Sequence, residues 1–206
     1  TFAMKLAQGI AEPDLCPYLS DEAKSILGAS TRPPIRKVTI GMGTLSVTVG
    51  EEFVFYRHDK TFYHQPGIMY AVSDTASDDE IQAVVRQVHA CHLTRIGIDL
   101  FLNGLAIIAD SNSPQRFADA ITAAITGGAD LPLVLMAKDP SVMKAGLAVC
   151  GNYRPLIHAA ADQHLEEFCA LAIQYGAPLA VAGQNPDEID TLAQRCTAAG
   201  ISDLIL

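Results

Sequence analysis

Asp74, Asp110, Asn112, Lys138 and Gln184 each stand just past a short apolar run, where a polar side chain has no packing duty. They belong to the stretches Ser73-Asp74, Asp110-Ser111-Asn112, Ala137-Lys138-Asp139, Ala160-Ala161-Asp162 and Gly183-Gln184-Asn185. Asp139, Asp162, Asn185 and the nearby Ser113 are accounted for by capping the helix that follows each of them. The five left over could hydrogen-bond a bound group, and Lys138 could form a Schiff base with a carbonyl substrate. They do not make a self-sufficient catalytic centre. No paired-carboxylate spacing, GxSxG or HExxH accompanies them.

Sulfur and imidazole say less. His89, Cys91 and His92 crowd one helix end, and no second pair elsewhere has the spacing of metal ligands, so they read as structural. Cys169 and Cys196 fall on the apolar faces of their helices and read as small core residues. His158 lies inside a strand, as a core or mouth residue. Cys16 is different: it sits in a loop before Pro17, in a unit too short to bury a core of its own. Units below about 40 residues usually need a metal or a disulfide, and Cys-Pro can end an iron–sulfur motif. One cysteine alone is not a site. Five cysteines at scattered spacings make no disulfide framework and fit reduced thiols in a cytoplasm.

The elements that position these residues are clearest from Leu131 onward. LPLVLMAKDP, RPLIHAAADQ, APLAVAGQNP and SDLIL alternate with helical segments, and Pro132, Pro155 and Pro178 recur at intervals of 23 residues. Each unit is an apolar run, a polar loop, an amphipathic helix and a glycine, which is the pattern of βα units feeding a parallel sheet. The array begins at Gly67, with strands at 68–73, 105–109, 133–136, 156–159, 179–182 and from 204. Its helices start at Ser77 (a capping box with Glu80), Ser113-Pro114, Asp139-Pro140, Asp162 and Asn185-Pro186. RIGIDLFLNG reads as a less regular connection. Six such strands fit an open doubly wound sheet or most of an eight-stranded barrel. With no GxGxxG or GxxxxGK[ST] turn and a near-constant repeat, the choice is an α/β fold with a (β/α)8 TIM-barrel domain seen through six strands.

Upstream, residues 2–9 and DEAKSIL read as short helices, the second capped by Ser20, and ASTRPP at 29–34 as a linker. Residues 37–40 and 45–49 read as a hairpin, 53–57 and 60–64 as further antiparallel strands. The domains are therefore 1–28, a small unit around Cys16; 29–66, linker and hairpin region; and 67–206, the barrel. Half of the 206 residues are hydrophobic and 18% are charged, which argues against disorder. A net charge of −9 argues against a nucleic-acid surface. No apolar run approaches the roughly 18 residues of a membrane helix, and no signal peptide opens the chain. Both ends read as cut from a longer polypeptide.

The runs FAMKLAQG, CPYLSDEAK, STRPPIRKVTIG, VGEEFVFYRHDKTFYH, LPLVLMAKDP, RPLIHAA and GISDLIL resemble the large (gamma) subunit of the corrinoid/iron–sulfur protein of the acetyl-CoA decarbonylase/synthase system. The resemblance spans nearly the whole chain. It implies a small [4Fe–4S] domain, a central (β/α)8 barrel and a C-terminal corrinoid-binding domain. It also implies a corrinoid-dependent methyltransferase role: cobalt takes a methyl group from a methylated tetrahydropterin, and the methyl-cobalt species passes it to acetyl-CoA synthase. The implied partners are the small subunit, in a heterodimer, a methyltetrahydropterin methyltransferase and acetyl-CoA synthase, in the cytoplasm. Cys16-Pro17 matches the fourth cluster cysteine, and the first three would precede Thr1, so 1–28 becomes the C-terminal part of the iron–sulfur domain. The corrinoid (cobamide) domain would follow Leu206. On this reading Asp74, Asp110, Asn112, Lys138 and Gln184 are candidate cofactor-binding residues where that domain docks. Cys16 is the candidate metal ligand, and no catalytic residue is assigned. The competing readings are a stand-alone barrel lyase or aldolase using Lys138, and a pterin-binding barrel methyltransferase without its own corrinoid.

Overall fold

Apolar runs buried on both faces and joined by helices must pair in parallel, and their order decides which faces the helices can cover. The computed structural model describes residues 13–24, 36–50 and 64–206. The chain divides into two compact units, 1–37 with 49–65, and 38–48 with 66–206. In the first, Pro13–Leu15 is a 3-10 turn and residues 21–24 are helical. Ser20 Oγ accepts the Ala23 N–H at 3.2 Å, the capping bond expected of it. Lys24 lies 3.3 Å from Asp14. The expected helix at 2–9, the end of the second helix, the linker at 29–34 and the strands at 53–57 and 60–64, His64 excepted, lie outside the described residues.

The second unit opens with a hairpin, β1 (Val38–Met42) and β2 (Leu45–Val49). There follow β3 (Met69–Ser73), α1 (Asp78–Ala90), β4 (His92–Arg95), β5 (Ile98–Phe101), β6 (Gly104–Ile108), α2 (Pro114–Thr126), β7 (Leu133–Met136) and α3 (Pro140–Cys150). Next come β8 (Leu156–Ala160), α4 (Leu165–Tyr175), β9 (Leu179–Val181), α5 (Pro186–Ala198) and β10 (Leu204–Ile205). The six array strands form one parallel sheet in the order β3-β6-β7-β8-β9-β10, the order of the chain itself. Strand alternation sorts their side chains. Leu105, Ile107, Leu133, Leu135, Ile157 and Leu179 join the apolar stripes of all five helices in one core. Ala106, Val134, Leu156 and Ala180 point the other way and meet Ile40 and Val47 of the hairpin. Helices therefore cover one face, and the β1–β2 hairpin covers part of the other.

Local chemistry explains the helix starts. Ser77 and Glu80 close the expected capping box, with the Ser77 N–H on Glu80 Oε2 at 2.8 Å. Ser113, Asp139 and Asn185 each accept an N–H of the first turn, ahead of a proline at the first helical position. Asp162 departs from expectation. It opens a 3-10 turn, Asp162–His164, and caps nothing; its carboxylate reaches across to Arg195. Arg195 also binds Glu166 at 2.5 Å, so the charge that would have capped α4 ties it to α5 instead.

RIGIDLFLNG is not an irregular connection. It forms half of the antiparallel hairpin β4–β5, paired from His92↔Phe101 to Arg95↔Ile98 around a two-residue turn. Such a turn needs positive φ at both central residues, and Ile96 (53°) and Gly97 (74°) supply it. A β-branched residue rarely adopts that conformation, which is why the turn carries no readable signal. Just ahead of the N-terminal ends of β8, β9 and β10, Arg154 fastens the first hairpin. Its guanidinium donates to Thr39 O at 2.6 Å, to Gly176 O at 3.0 Å and to Asp203.

Candidate functional site

Beyond the C-terminal ends of β6, β7 and β8 lies a cavity of about 780 Å³. Side chains dominate its making. Register sets Ile108, Met136 and His158 side by side, since Ile108 pairs with Met136 and Met136 with His158. Ala109, Ala137, Ala159 and Ala182 also line it, and where longer aliphatic residues would close the strand ends these leave room. Phe168 of α4 contributes an apolar wall. Asp110, Asn112, Lys138, Asp139, Gln163 and His164 supply polar groups around the opening. The size falls within the ordinary range for a small-molecule or cofactor pocket.

Of the five residues singled out by sequence, the structure brings Asp110, Asn112 and Lys138 to this cavity. All three are exposed at its rim. Gln184 is exposed beyond β9 and does not line it; its backbone N–H donates to Glu188 at 2.8 Å. Asp74 is fully buried. Its carboxylate accepts the Ser111 N–H at 2.9 Å and the Ser111 hydroxyl, and its carbonyl accepts Arg116 Nε at 2.6 Å. Asp74 thus joins the ends of β3 and β6 from inside the protein.

Two histidines complete the lining. His164 Nδ1 lies 3.4 Å from Glu167. His158 is half-buried on the sheet face turned away from the helices, where β8 shifts register against β9 between Ile157 and Ala160. Burial disfavours its charged form and pushes its pKa below the usual histidine value of 6.5. A depressed folded-state pKa means a stability contribution that is intact above the unfolded value and lost as pH falls through the folded one. Stability is therefore expected to decline as pH drops below about 6.5. In urea melts from pH 7.5 to 5.5, His158→Gln should show a flatter pH dependence than the parent. Parallel curves would remove His158 from the titration.

Asp139 behaves otherwise. The Ser141 hydroxyl, and then its N–H, hold the Asp139 carboxyl below the usual range, so its charge serves the start of α3. Cys16 is half-buried in the first unit. Among the described residues, no three His, Cys, Asp or Glu side chains are grouped to hold a metal. His89 Nε2 meets Gly128 O at 2.8 Å, and His92 lies 3.3 Å from Asp99. Cys169 and Cys196 are buried, with their sulfurs 3.6 Å apart, and burial pushes the Cys196 thiol up to about 12. No described helix is long and apolar enough to cross a membrane.

A family model described as the CO dehydrogenase/acetyl-CoA synthase delta subunit matches residues 37–206. The chain belongs to that family. Among relatives of the CO dehydrogenase/acetyl-CoA synthase subunit family, the corrinoid/iron-sulfur protein large subunit of Moorella thermoacetica is 40% identical over 205 residues, covering 100% of this chain and 46% of the relative. The acetyl-CoA decarbonylase/synthase complex subunit gamma of Methanopyrus kandleri is 33% identical, over 91% of this chain and 40% of its own length. Subunit gamma 2 of Methanosarcina thermophila is 35% identical, over 100% and 45%. The chain thus spans about half the length of the curated relatives it matches. The resemblance carried by FAMKLAQG through GISDLIL is borne out by these relatives.

Proposed function

We propose that this chain is part of a corrinoid/iron–sulfur protein that carries a methyl group from a methylated tetrahydropterin to acetyl-CoA synthase. Family membership over residues 37–206 carries the reading, and the relatives' names supply its chemistry. In this reading 1–28 closes a small iron–sulfur domain, 29–66 is linker and hairpin, and 67–206 is most of a (β/α)8 barrel. The sheet supports the barrel. A doubly wound sheet reverses its strand order and carries helices on both faces, whereas here the order follows the chain and all five helices share one face.

The described residues fit the two cofactors unequally. A [4Fe–4S] cluster takes four thiolates, and Cys16 can be only one of them, so the described residues do not hold a cluster unaided. The cavity rim is a better match: charged and amide side chains over an apolar floor suit the carboxamide-rich edge of a corrinoid. Asp110, Asn112 and Lys138 would meet that edge, Gln184 would extend the contact, and Asp74 would hold the β3 and β6 ends in place behind it. When bound, a corrinoid supplies the cobalt that accepts and releases the methyl group. The chain's own residues would orient it and shield it from water. A small subunit, a methyltetrahydropterin methyltransferase and acetyl-CoA synthase are the partners, and the cytoplasm is the compartment.

The full polypeptide, purified without oxygen, should contain cobalt and iron and accept methyl from a methylated tetrahydropterin. Cys16→Ser should lower its iron content while leaving cobalt. Asn112→Ala should weaken corrinoid retention several-fold. A colourless, metal-free polypeptide would overturn the assignment, and unchanged retention in Asn112→Ala would remove the rim from it.

A further inference from the structure

Hairpin β4–β5 is exposed at every one of its strand positions, and its apolar residues are not scattered. Strand pairing puts Leu93, Leu100, Arg95 and Ile98 on one face, with Ile96 at the tip. His92, Thr94, Asp99 and Phe101 share the other. The polar groups of that second face satisfy one another, Thr94 Oγ1 donating to Asp99 at 2.7 Å and His92 lying 3.3 Å from the same carboxylate, and Phe101, 51% exposed, is its one apolar side chain. The first face has no such closure. Leu93 is 60% exposed, Ile98 53%, and Ile96 91%. A lone two-stranded hairpin is marginal in water, and one that presents large aliphatic side chains outward gains by being covered.

We infer that the Leu93–Ile96–Ile98–Leu100 face is a docking ridge for a separate protein subunit that offers an apolar patch rimmed by carboxylates. Charge argues for that occupant. The whole chain carries −9, yet between Arg86 and Phe101 stand two arginines, two histidines and a single carboxylate, Asp99. Asp99 is engaged by Thr94 and His92 on the opposite face, so Arg95 stands among the aliphatic side chains with no acid of its own face to meet. An acidic rim on the partner would supply one and speed the encounter. A second copy of the chain fits poorly, because its copy of this face brings another Arg95 and no carboxylate to meet the first. The partner's membership in the same complex rests on the proposed function; the ridge itself does not.

The test uses the complex as purified from cells, with the photo-crosslinking residue benzoylphenylalanine in place of Ile96. Irradiation should join this polypeptide to a different subunit. Arg95→Glu should weaken that association at least tenfold and flatten its salt dependence, while the melting temperature of the polypeptide alone stays unchanged. A crosslink back into the same polypeptide, to a second copy, or to nothing overturns the inference. So does Arg95→Glu binding as tightly as the parent. Cobalt and iron contents, measured on the same preparation, separate failure of the methyl-carrier reading from failure of the ridge.

Discussion

Phe117→Ala is expected to cost the second unit about 3–5 kcal/mol, a melting-temperature loss on the order of 10 °C. Phe117 is fully buried on α2, in the core that joins the helices to the sheet. Its ring does more than fill volume. At Gly146 of α3, an added Cβ would stand 2.6 Å from Phe117 Cε1 and 2.8 Å from Ile121 Cδ1. Glycine thus lets α3 lie directly against the α2 side chains, despite a helix-propensity cost of about 1 kcal/mol relative to alanine. Gly146→Ala alone should therefore destabilise by roughly 1–3 kcal/mol through overpacking, more than its better propensity returns. In the Phe117→Ala background the new methyl enters vacated space, and the same change should be neutral or stabilising. A double-mutant cycle by urea denaturation should give a coupling of about 1–3 kcal/mol. Additive effects would mean that the two helices do not meet through this pair.

From Leu131 the array was readable because its units repeat one local statement: proline, apolar run, polar loop, helix, glycine. Ser77, Ser113, Asp139 and Asn185 cap as their residue types imply, and Cys169 and Cys196 are buried as their helical phase implies. What failed depended on partners far along the chain. Asp162 has the same composition cue as Asp139, but Arg195 on a later helix competes for it. The β4–β5 hairpin turns through Ile96-Gly97, a pair without the Asn or Asp that usually announces such a turn. At the cavity, the rule that polar residues gather beyond strand ends placed Asp110, Asn112 and Lys138. It left His158 open between core and mouth, because that choice depends on strand register and on the irregularity in β8. Nor could it tell that Asp74 turns inward, since its partner Ser111 comes from the neighbouring loop.

Asp74→Ala should destabilise the second unit by roughly 1–3 kcal/mol. It removes the buried, charged acceptor of two part-buried hydrogen bonds from Ser111. The damage should be local at first. With the carboxylate gone, Ser111 is freed from the end of β3, although the Asp74 carbonyl still accepts Arg116 Nε. Asp74→Asn should cost less, because its amide oxygen can keep the Ser111 N–H and its amide nitrogen can donate to the Ser111 hydroxyl oxygen. Adding Ser111→Ala to Asp74→Ala should recover part of the loss by deleting one stranded donor. This ordering separates a structural tie from a ligand contact. If Asp74 met a cofactor directly, Asp74→Asn would lower cofactor retention without changing the melt of the cofactor-free polypeptide. If it holds two strand ends together, melting temperature and hydrogen-exchange protection at Ser111 fall first, with or without cofactor. An Asp74→Ala protein that melts with the parent would refute the tie.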